Sequence, residues 1–520
     1  MKPALIICPF FTNGDWPPLG LSCVNGALRE AGYVPLCFDL NYQTLQEFPG
    51  ELNLYRNLVN MGHAQDRVVF VLRPEMVLSF LYKDDHPEIK WGVPPEEQPM
   101  VASLYLGLKS AVARQAEIIR EHRPHVFFFS TYISNFLWSM LLAKELKKRS
   151  PETPVVFGGP GVGLAEVQGF VLSSGWVDAL IAGEGETTVV EIMKGLESND
   201  FKNVEGVASL SQGEVNLRPR KPATLSELPS PSFTGLPLPG LQVSDYANNR
   251  PNPFHTPFFT GLPVYSSRGC VNRCAYCSES AYWKTFRFRG PESVFRDMAR
   301  FAKDHGEDHF LFGDSAVNFK REWLLQFAEL VRNSGTNPVI CAYMFATPEL
   351  DEDMARELFE AGFKYITLGI ETFSGGIRDR VNKRYQGDKL FSSICALTRA
   401  GIHVKSNLLV GFPGETEEDV EASLYYIRRR RDMEVSERGP GALYWDAGHP
   451  LRLEAYSDLY NRPAEYDIEI FDGPILELPD ALSRLLPFVR PFFRRWSTPS
   501  RSELENRCSK MQALVKDSRD

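Results

Sequence analysis

From residue 263 onward, short apolar runs and amphipathic helical stretches replace one another with hardly a break. Strands over 263–267, 308–313, 338–345, 364–370 and 402–410 are predicted to alternate with helices over 291–305, 321–333, 351–361, 375–400 and 416–431. Short continuous apolar runs between amphipathic helices mark strands buried on both faces. Each crossover between parallel strands is right-handed, so the series wraps into a parallel sheet covered by helices. Five to six such units make a partial or full barrel, expected over 263–475, with its functional loops at the carboxyl ends of the strands.

The amino-terminal part follows the same rule with longer spacing. Residues 4–8, 34–40, 126–130, 155–159 and 177–182 read as strands, and helices are predicted up to Gly32, over 104–121 and over 135–149. Strands alternating with helices argue for an open doubly wound α/β sheet over 1–220, whose ligand site lies beyond the strand carboxyl ends at loops 9–20, 130–135, 158–163 and 183–187. The eight prolines of 221–262 mark a linker, and 476–520 reads as a small amphipathic helical tail with a basic cluster at Arg490, Arg494 and Arg495. The four arginines of 428–431 read as a solvated helix end.

Composition narrows the function classes. Acidic side chains outnumber basic ones, 66 to 57, so no global positive field calls for a nucleic acid as partner. No apolar stretch approaches the roughly 18 residues of a membrane-spanning helix, and residues 4–8 read as a buried strand rather than a secretory segment, so a cytoplasmic location is expected. An odd number of cysteines, nine, argues against a disulfide framework.

Three of the nine stand within eight residues, in the loop that follows the first barrel strand: Cys270-Val-Asn-Arg-Cys274-Ala-Tyr-Cys277. Three thiols at this spacing match neither a four-cysteine zinc ribbon nor a four-cysteine ferredoxin, so a four-iron cluster held here has one iron without a protein ligand. The alternatives are three unrelated thiols, or a zinc site completed by a distant histidine. The stretch from Ser267 to Cys277 resembles the radical S-adenosylmethionine (SAM) superfamily, whose signature is Cys-x3-Cys-x-aromatic-Cys at the first loop of such a barrel. The resemblance implies a [4Fe-4S] cluster on Cys270, Cys274 and Cys277, with SAM chelating the open iron and being cleaved to a 5′-deoxyadenosyl radical. It also implies SAM contacts at Tyr276, which would lie against adenine, at Asp314 after the second strand, at Glu371 after the fourth and at Gly411 after the fifth.

Pro17-Pro18-Leu-Gly20, Ala31-Gly-Tyr33, Phe157-Gly158-Gly159-Pro160 and Gly183-Glu184-Gly185-Glu186 resemble the cobalamin-binding domain that precedes the barrel in one large subgroup of that superfamily. The implied corrinoid contacts are Pro18, Gly20, Ser130, Gly158, Gly159, Gly183, Glu184 and Gly185. Glycines at strand ends let the backbone approach a bulky planar ligand. Where many cobalamin domains carry Asp-x-His-x-x-Gly, this chain reads Thr12-Asn-Gly-Asp15-Trp16-Pro-Pro-Leu-Gly20, so cobalamin is expected without a histidine lower ligand from that loop.

The expected activity is a cobalamin-dependent C-methylation of an unactivated carbon in a natural-product, peptide or lipid substrate, with a flavodoxin or ferredoxin as reductant. The alternatives are radical cyclisation, rearrangement or oxidation without methyl transfer, and, from another class, an iron–sulfur electron carrier or redox sensor. The latter predicts a fully ligated cluster. Segments 43–100 and 432–520, which the generic pattern does not specify, are the expected places for substrate contacts. Cys8, Cys23 and Cys37 are similar to the N-terminal cysteines of radical methylthiotransferases but fall within one βαβ unit and read as small buried side chains; Cys341 reads as core.

Overall fold

The computed structural model describes residues 1–9, 16–47, 50, 74–91, 95–198, 200–238, 261–385, 387–454, 456–472, 494–496 and 501–517. Loop residues 10–15, much of 43–100, linker residues 239–260 and the tail positions Arg490, Phe488, Phe492 and Phe493 lie outside them. The chain divides into two compact units, Met1–Pro239 with Ile470–Trp496, and Gly240–Glu469 with Ser497–Asp520.

The first unit is a seven-stranded sheet. Strands β1 (Pro3–Ile7), β2 (Leu36–Asp39), β3 (Val126–Ser130), β4 (Val155–Gly158) and β5 (Ala179–Ile181) run parallel in the order β2-β1-β3-β4-β5. Their residues explain the placement: all of β1 is buried, and Val126 to Phe129 of β3 are covered on both faces. The crossovers are α1 (Leu19–Glu30), α2 (Gln98–Glu121), α3 (Phe136–Arg149) and α4 (Ala165–Ser173), and α5 (Glu186–Glu197) follows β5. Polar groups that enter the core arrive paired. Gln115 of α2 accepts from Trp138 Nε1 at 2.9 Å and donates to Thr44 at 2.9 Å.

Two further strands, β6 (Val207–Ser211) and β7 (Glu214–Leu217), extend the sheet antiparallel beyond β5 through the two-residue turn Gln212–Gly213. The sequence reading did not place them, because each is short and mixes polar with apolar residues, with β7 at the sheet edge largely exposed. Of the expected linker, residues 221–236 lie on the first unit: Asn25 Nδ2 donates to Ser232 O at 2.8 Å and Thr234 O at 3.0 Å, and Phe233 is buried. Cys8 and Cys23 are buried as expected, while Cys37 is only half-buried.

In the second unit β8 (Leu262–Val264), β11 (His309–Phe312), β12 (Val339–Met344), β13 (Phe363–Glu371), β14 (His403–Val410) and β15 (Leu443–Pro450) form a six-stranded parallel sheet in sequence order, a partial barrel. Between β8 and β11 the chain makes the short antiparallel pair β9 (Ser267–Arg268) and β10 (Arg287–Phe288). The helices are α6 (Pro291–His305), α7 (Arg321–Asn333), α8 (Glu352–Glu360), α9 (Gly375–Arg380), α10 (Asp388–Arg399) and α11 (Glu417–Asp432).

The helix expected over 375–400 is two. Asn382 and Tyr385 take left-handed φ of 55° and 61° and break the run after α9. Within the four-arginine run Arg430 is buried, donating to Arg438 O and Thr398 Oγ1, which corrects the solvated reading at that position. Cys341 is buried, as expected. The tail carries a helix, α12 (Arg501–Asp517), which packs on β15, with Gln512 donating to Gly448 O at 3.1 Å. Ahead of it β17 (Arg494–Trp496) pairs with β16 (Ile470–Asp472).

Candidate active site

The cysteine loop leaves β9 at the carboxyl end of β8 and is tied at both ends. At its base, buried Asp314, two residues past β11, accepts from Ser266 N at 2.9 Å, Ser266 Oγ at 2.6 Å and Ser267 Oγ at 2.5 Å. Burial raises its pKa against the lowering effect of the hydrogen bonds from Ser266 and Ser267. Farther on, Ala275 N donates to Val381 O at 2.9 Å, Leu459 N donates to Ala275 O at 2.9 Å, and Asn382 Nδ2 donates to Arg273 O at 2.8 Å.

All three cysteines are free and half-buried. Burial pushes the Cys270 thiol up to about 11 and the Cys277 thiol up to about 12, and the neighbouring Cys274 adds to both. Three buried thiols close enough to influence one another suit the corners of an iron–sulfur cube, whose irons supply the positive charge that turns buried thiols into thiolates.

Beside the cysteines the chain gathers a polar triad. Lys383 Nζ donates to Tyr276 Oη at 2.8 Å and to Glu371 Oε1 at 3.3 Å, and Tyr276 meets Phe412 edge-on at 5.9 Å between ring centres. Burial, then the charge of Glu371, pushes the Tyr276 phenol well above its usual range, so it stays protonated. Glu371 closes β13 with a left-handed φ of 67°, a strained turn for a glutamate. That turn is clamped by Arg378, which is 1% exposed and donates to the carbonyls of Ile370 at 2.6 Å, Thr372 at 3.0 Å, Arg384 at 2.5 Å and Tyr385 at 2.5 Å. Gly411, after β14, has φ 89° and donates its N–H to Glu415 Oε2 at 2.7 Å; Arg507 of α12 donates to the same oxygen at 3.2 Å.

Of the four expected SAM residues, Tyr276 and Glu371 thus share one triad, Gly411 precedes the Phe412 that Tyr276 touches, and Asp314 braces the loop base. Lys383, Arg378, Glu415 and Arg507 were not singled out from sequence. The first two lay inside a stretch read as one helix, and the others act across long sequence separations. The run Asn382-Lys-Arg-Tyr385, polar within an otherwise amphipathic pattern, was the available signal.

In the first unit the expected cobalamin residues stand at strand carboxyl ends. Ser130 and Gly158 end β3 and β4, Pro18 precedes α1, Gly20 opens it, and Gly183, Glu184 and Gly185 join β5 to α5. Gly159 has φ 94°, and a Cβ there would stand 2.5 Å from Thr131 O, so only glycine lets the two loops meet. Thr131 N and Oγ1 both donate to Gly158 O, at 2.7 and 2.6 Å. Glu184 is engaged, accepting from Ala223 N at 3.0 Å. Among the described residues of this unit the histidines are His86, His122 and His125; the last two flank the opposite, amino-terminal end of β3.

Family models match both regions: the Radical SAM superfamily over 264–427 and the B12 binding domain over 97–193. The chain belongs to the radical SAM superfamily, in the subgroup that carries a B12-binding domain ahead of the barrel. It is an enzyme of that class, and the cofactor set that goes with these domains is a [4Fe-4S] cluster, SAM and cobalamin.

Among similar proteins are an uncharacterized methyltransferase of Pyrococcus horikoshii, 23% identical over 64% of this chain and 71% of its own length, and an anaerobic magnesium-protoporphyrin IX monomethyl ester cyclase of Cereibacter sphaeroides, 26% identical over 62% of this chain and 51% of its own. The chain thus spans about half the length of the second. A solved structure of the radical SAM methyltransferase TsrM from Kitasatospora setae, with tryptophan substrate and a SAM analogue bound, superposes with a TM-score of 0.65 at 16% identity, covering 100% of this chain and 89% of that one; it shows the shared fold. No helix among the described residues is long and apolar enough to cross a membrane.

Proposed function

We propose that this chain catalyses cobalamin-dependent radical SAM methylation of an unactivated carbon in a small natural-product, peptide or lipid substrate, with flavodoxin or ferredoxin as the electron donor. The observation that carries the reading is the set of three free thiols beside the Tyr276–Lys383–Glu371 triad, at the carboxyl end of a six-stranded parallel barrel. When bound, the cluster and SAM supply a 5′-deoxyadenosyl radical and the corrinoid supplies a methyl carrier.

The residues do the holding. Cys270, Cys274 and Cys277 are the cluster ligands. Lys383 offers an ammonium to a carboxylate such as that of SAM, and Glu371, with Tyr276 beside it, offers acceptors to a ribose or amine. Gly411 and Phe412 provide backbone and ring surface for adenine. Asp314 and Arg378 fix the two loops so that these groups keep their places when the nucleotide enters. In the first unit Pro18, Gly20, Ser130, Gly158, Gly159, Gly183 and Gly185 offer backbone at strand ends to a planar macrocycle. Glu184, held by Ala223, supports the loop. Residues 43–100 and 432–520 are the proposed substrate-contacting segments.

The likeness to a cyclase supports a second reading, radical ring formation or oxidation without methyl transfer. One experiment separates them: the anaerobically reconstituted chain is incubated with SAM, cobalamin, a reductant and extract of the source organism. Methylation yields 5′-deoxyadenosine, S-adenosylhomocysteine and a product one methyl heavier. Deoxyadenosine alone supports the second reading, and neither product refutes both.

A further inference from the structure

Along the tail helix α12, Leu504, Arg507, Cys508, Met511, Leu514 and Val515 form a stripe at helical spacing that is buried or half-buried. Five of these six side chains suit an apolar contact, and Arg507 does not. A guanidinium taken out of water is unfavourable unless it is matched, so the groups that Arg507 meets give the reason for its place.

It meets the loop that follows β14. Arg507 Nη1 donates to Glu415 Oε2 at 3.2 Å, and Arg507 Nε donates to Glu417 Oε1 at 3.0 Å. The same Glu415 oxygen accepts from Gly411 N at 2.7 Å, and Glu415 N donates to Phe412 O at 3.0 Å. Residues 411–415 thus make a small ring closed by the Glu415 side chain, and the charge that holds this side chain inward comes from 92 residues away.

The seat of the helix is shaped for close approach. Gly448 of β15 has φ 76°, and a Cβ there would stand 2.7 Å from Cys508 O and 2.8 Å from Gln512 Cγ. A side chain at 448 would therefore lift α12, and Arg507 with it, away from the loop. Without Arg507, the buried Glu415 carboxylate is relieved by turning toward water, which takes the acceptor from Gly411 N–H and opens the ring.

We infer that Arg507 is a positioning residue for SAM: by seating α12 against the loop after β14 it keeps Gly411 and Phe412 in the form that receives adenine, so docking of the tail helix and binding of SAM strengthen each other. The inference rests on reading that loop as the adenine contact and adds its control by the tail.

The test uses the full chain, anaerobically reconstituted with its cluster, at about pH 8.5, where a Glu415 turned outward ionises freely. SAM is titrated calorimetrically into the oxidised form. Arg507→Met is expected to weaken SAM by at least about 5-fold, the lower end of coupling between linked sites, with iron loading unchanged. Arg507→Lys, which keeps a charge for Glu415, should recover part of the loss. Lys510→Met removes only the exposed contact to Glu417, 2.9 Å long, and should cost less than about 2-fold. Coupling is reciprocal, so saturating SAM should slow amide hydrogen exchange in α12 of the wild-type chain by at least about 5-fold. This last measurement needs no variant and decides the matter if Arg507→Met folds poorly.

Unchanged SAM affinity in Arg507→Met, an equal loss in Lys510→Met, or α12 exchange indifferent to SAM overturns the role of Arg507. The underlying reading fails separately: a wild-type chain that gives no heat with SAM, and whose reduced cluster keeps its EPR signal when SAM is added, does not bind SAM at the cluster.

Discussion

Glu415→Gln tests the electrostatics of the loop after β14 most directly. The Glu415 side chain is 2% exposed, and its only cationic neighbour at hydrogen-bond distance among the described residues is Arg507, itself 6% exposed. Burial pushes the Glu415 carboxyl up from 4.5 to about 7, against the lowering effects of the Gly411 N–H and Arg507. The difference of 2.5 pH units between those two values corresponds to about 3 kcal/mol at roughly 1.4 kcal/mol per unit. Because the folded-state pKa is the higher one, the folded chain prefers the protonated acid. Its contribution is full below pH 4.5 and is lost as pH rises through about 7. Glutamine imitates the protonated acid, keeps an oxygen for Gly411 N–H and never ionises.

In urea unfolding of the cluster-free chain, Glu415→Gln is therefore expected to exceed wild type in stability by about 3 kcal/mol at pH 8, a gap that narrows by about 2 to 3 kcal/mol at pH 5. A gap independent of pH, or one that widens toward acid, refutes the argument that burial governs this carboxyl.

Replacing any one of Cys270, Cys274 or Cys277 by alanine should abolish stable four-iron loading, read as bound iron and visible absorbance, while far-ultraviolet circular dichroism keeps its wild-type form. Arg378→Met strips four carbonyls of their shared donor and should cost about 3 to 5 kcal/mol in urea unfolding, the range for breaking a buried charged network; a cost below about 1 kcal/mol would mean the turn at Glu371 holds without it. Asp314→Ala leaves the Ser266 N–H and two hydroxyls without their acceptor and should cost about 1 to 3 kcal/mol, together with reduced iron loading. Cobalamin bound to the chain and reduced to the cobalt(II) state should show no nitrogen hyperfine splitting from a protein imidazole, since no described histidine of the first unit stands at the strand carboxyl ends. Such a splitting would point to His63, which lies outside the described residues.

Where the sequence reading succeeded, the physics was local. A buried parallel strand writes itself as a continuous apolar run, so 126–130 and five of the six barrel strands were legible to within a few residues, whereas β15, which mixes polar residues with apolar ones, was not placed. Helices 291–305 and 321–333 announced themselves by amphipathic periodicity and terminate as expected. The hairpin 207–217 carried no such signal, because its short strands alternate apolar and polar residues and only Val207 to Ser209 are buried, leaving no apolar run to display. The split at 381–387 was hidden for another reason: the side chains of 375–400 keep helical periodicity, and the break is imposed by a buried guanidinium that gathers carbonyls from both sides of it.

The site divides along the same line. Cysteine spacing is a local pattern with one dominant chemical meaning, so the proposed cluster ligands are read from the chain alone. The partners that make the site work are non-local: Lys383 meets Tyr276 across 107 residues, and Arg507 meets Glu415 across 92. Spacing along the chain carries no information about such pairs. What does carry it is the requirement that a buried charge be matched, and this requirement runs in both directions. It explains why Lys405 and Asp446, one on each of two adjacent strands, occur together on one face of the sheet. It also marks the buried Asn407 Oδ1, which has no partner among the described residues, as a place beside the Glu371–Lys383 pair that a ligand would complete.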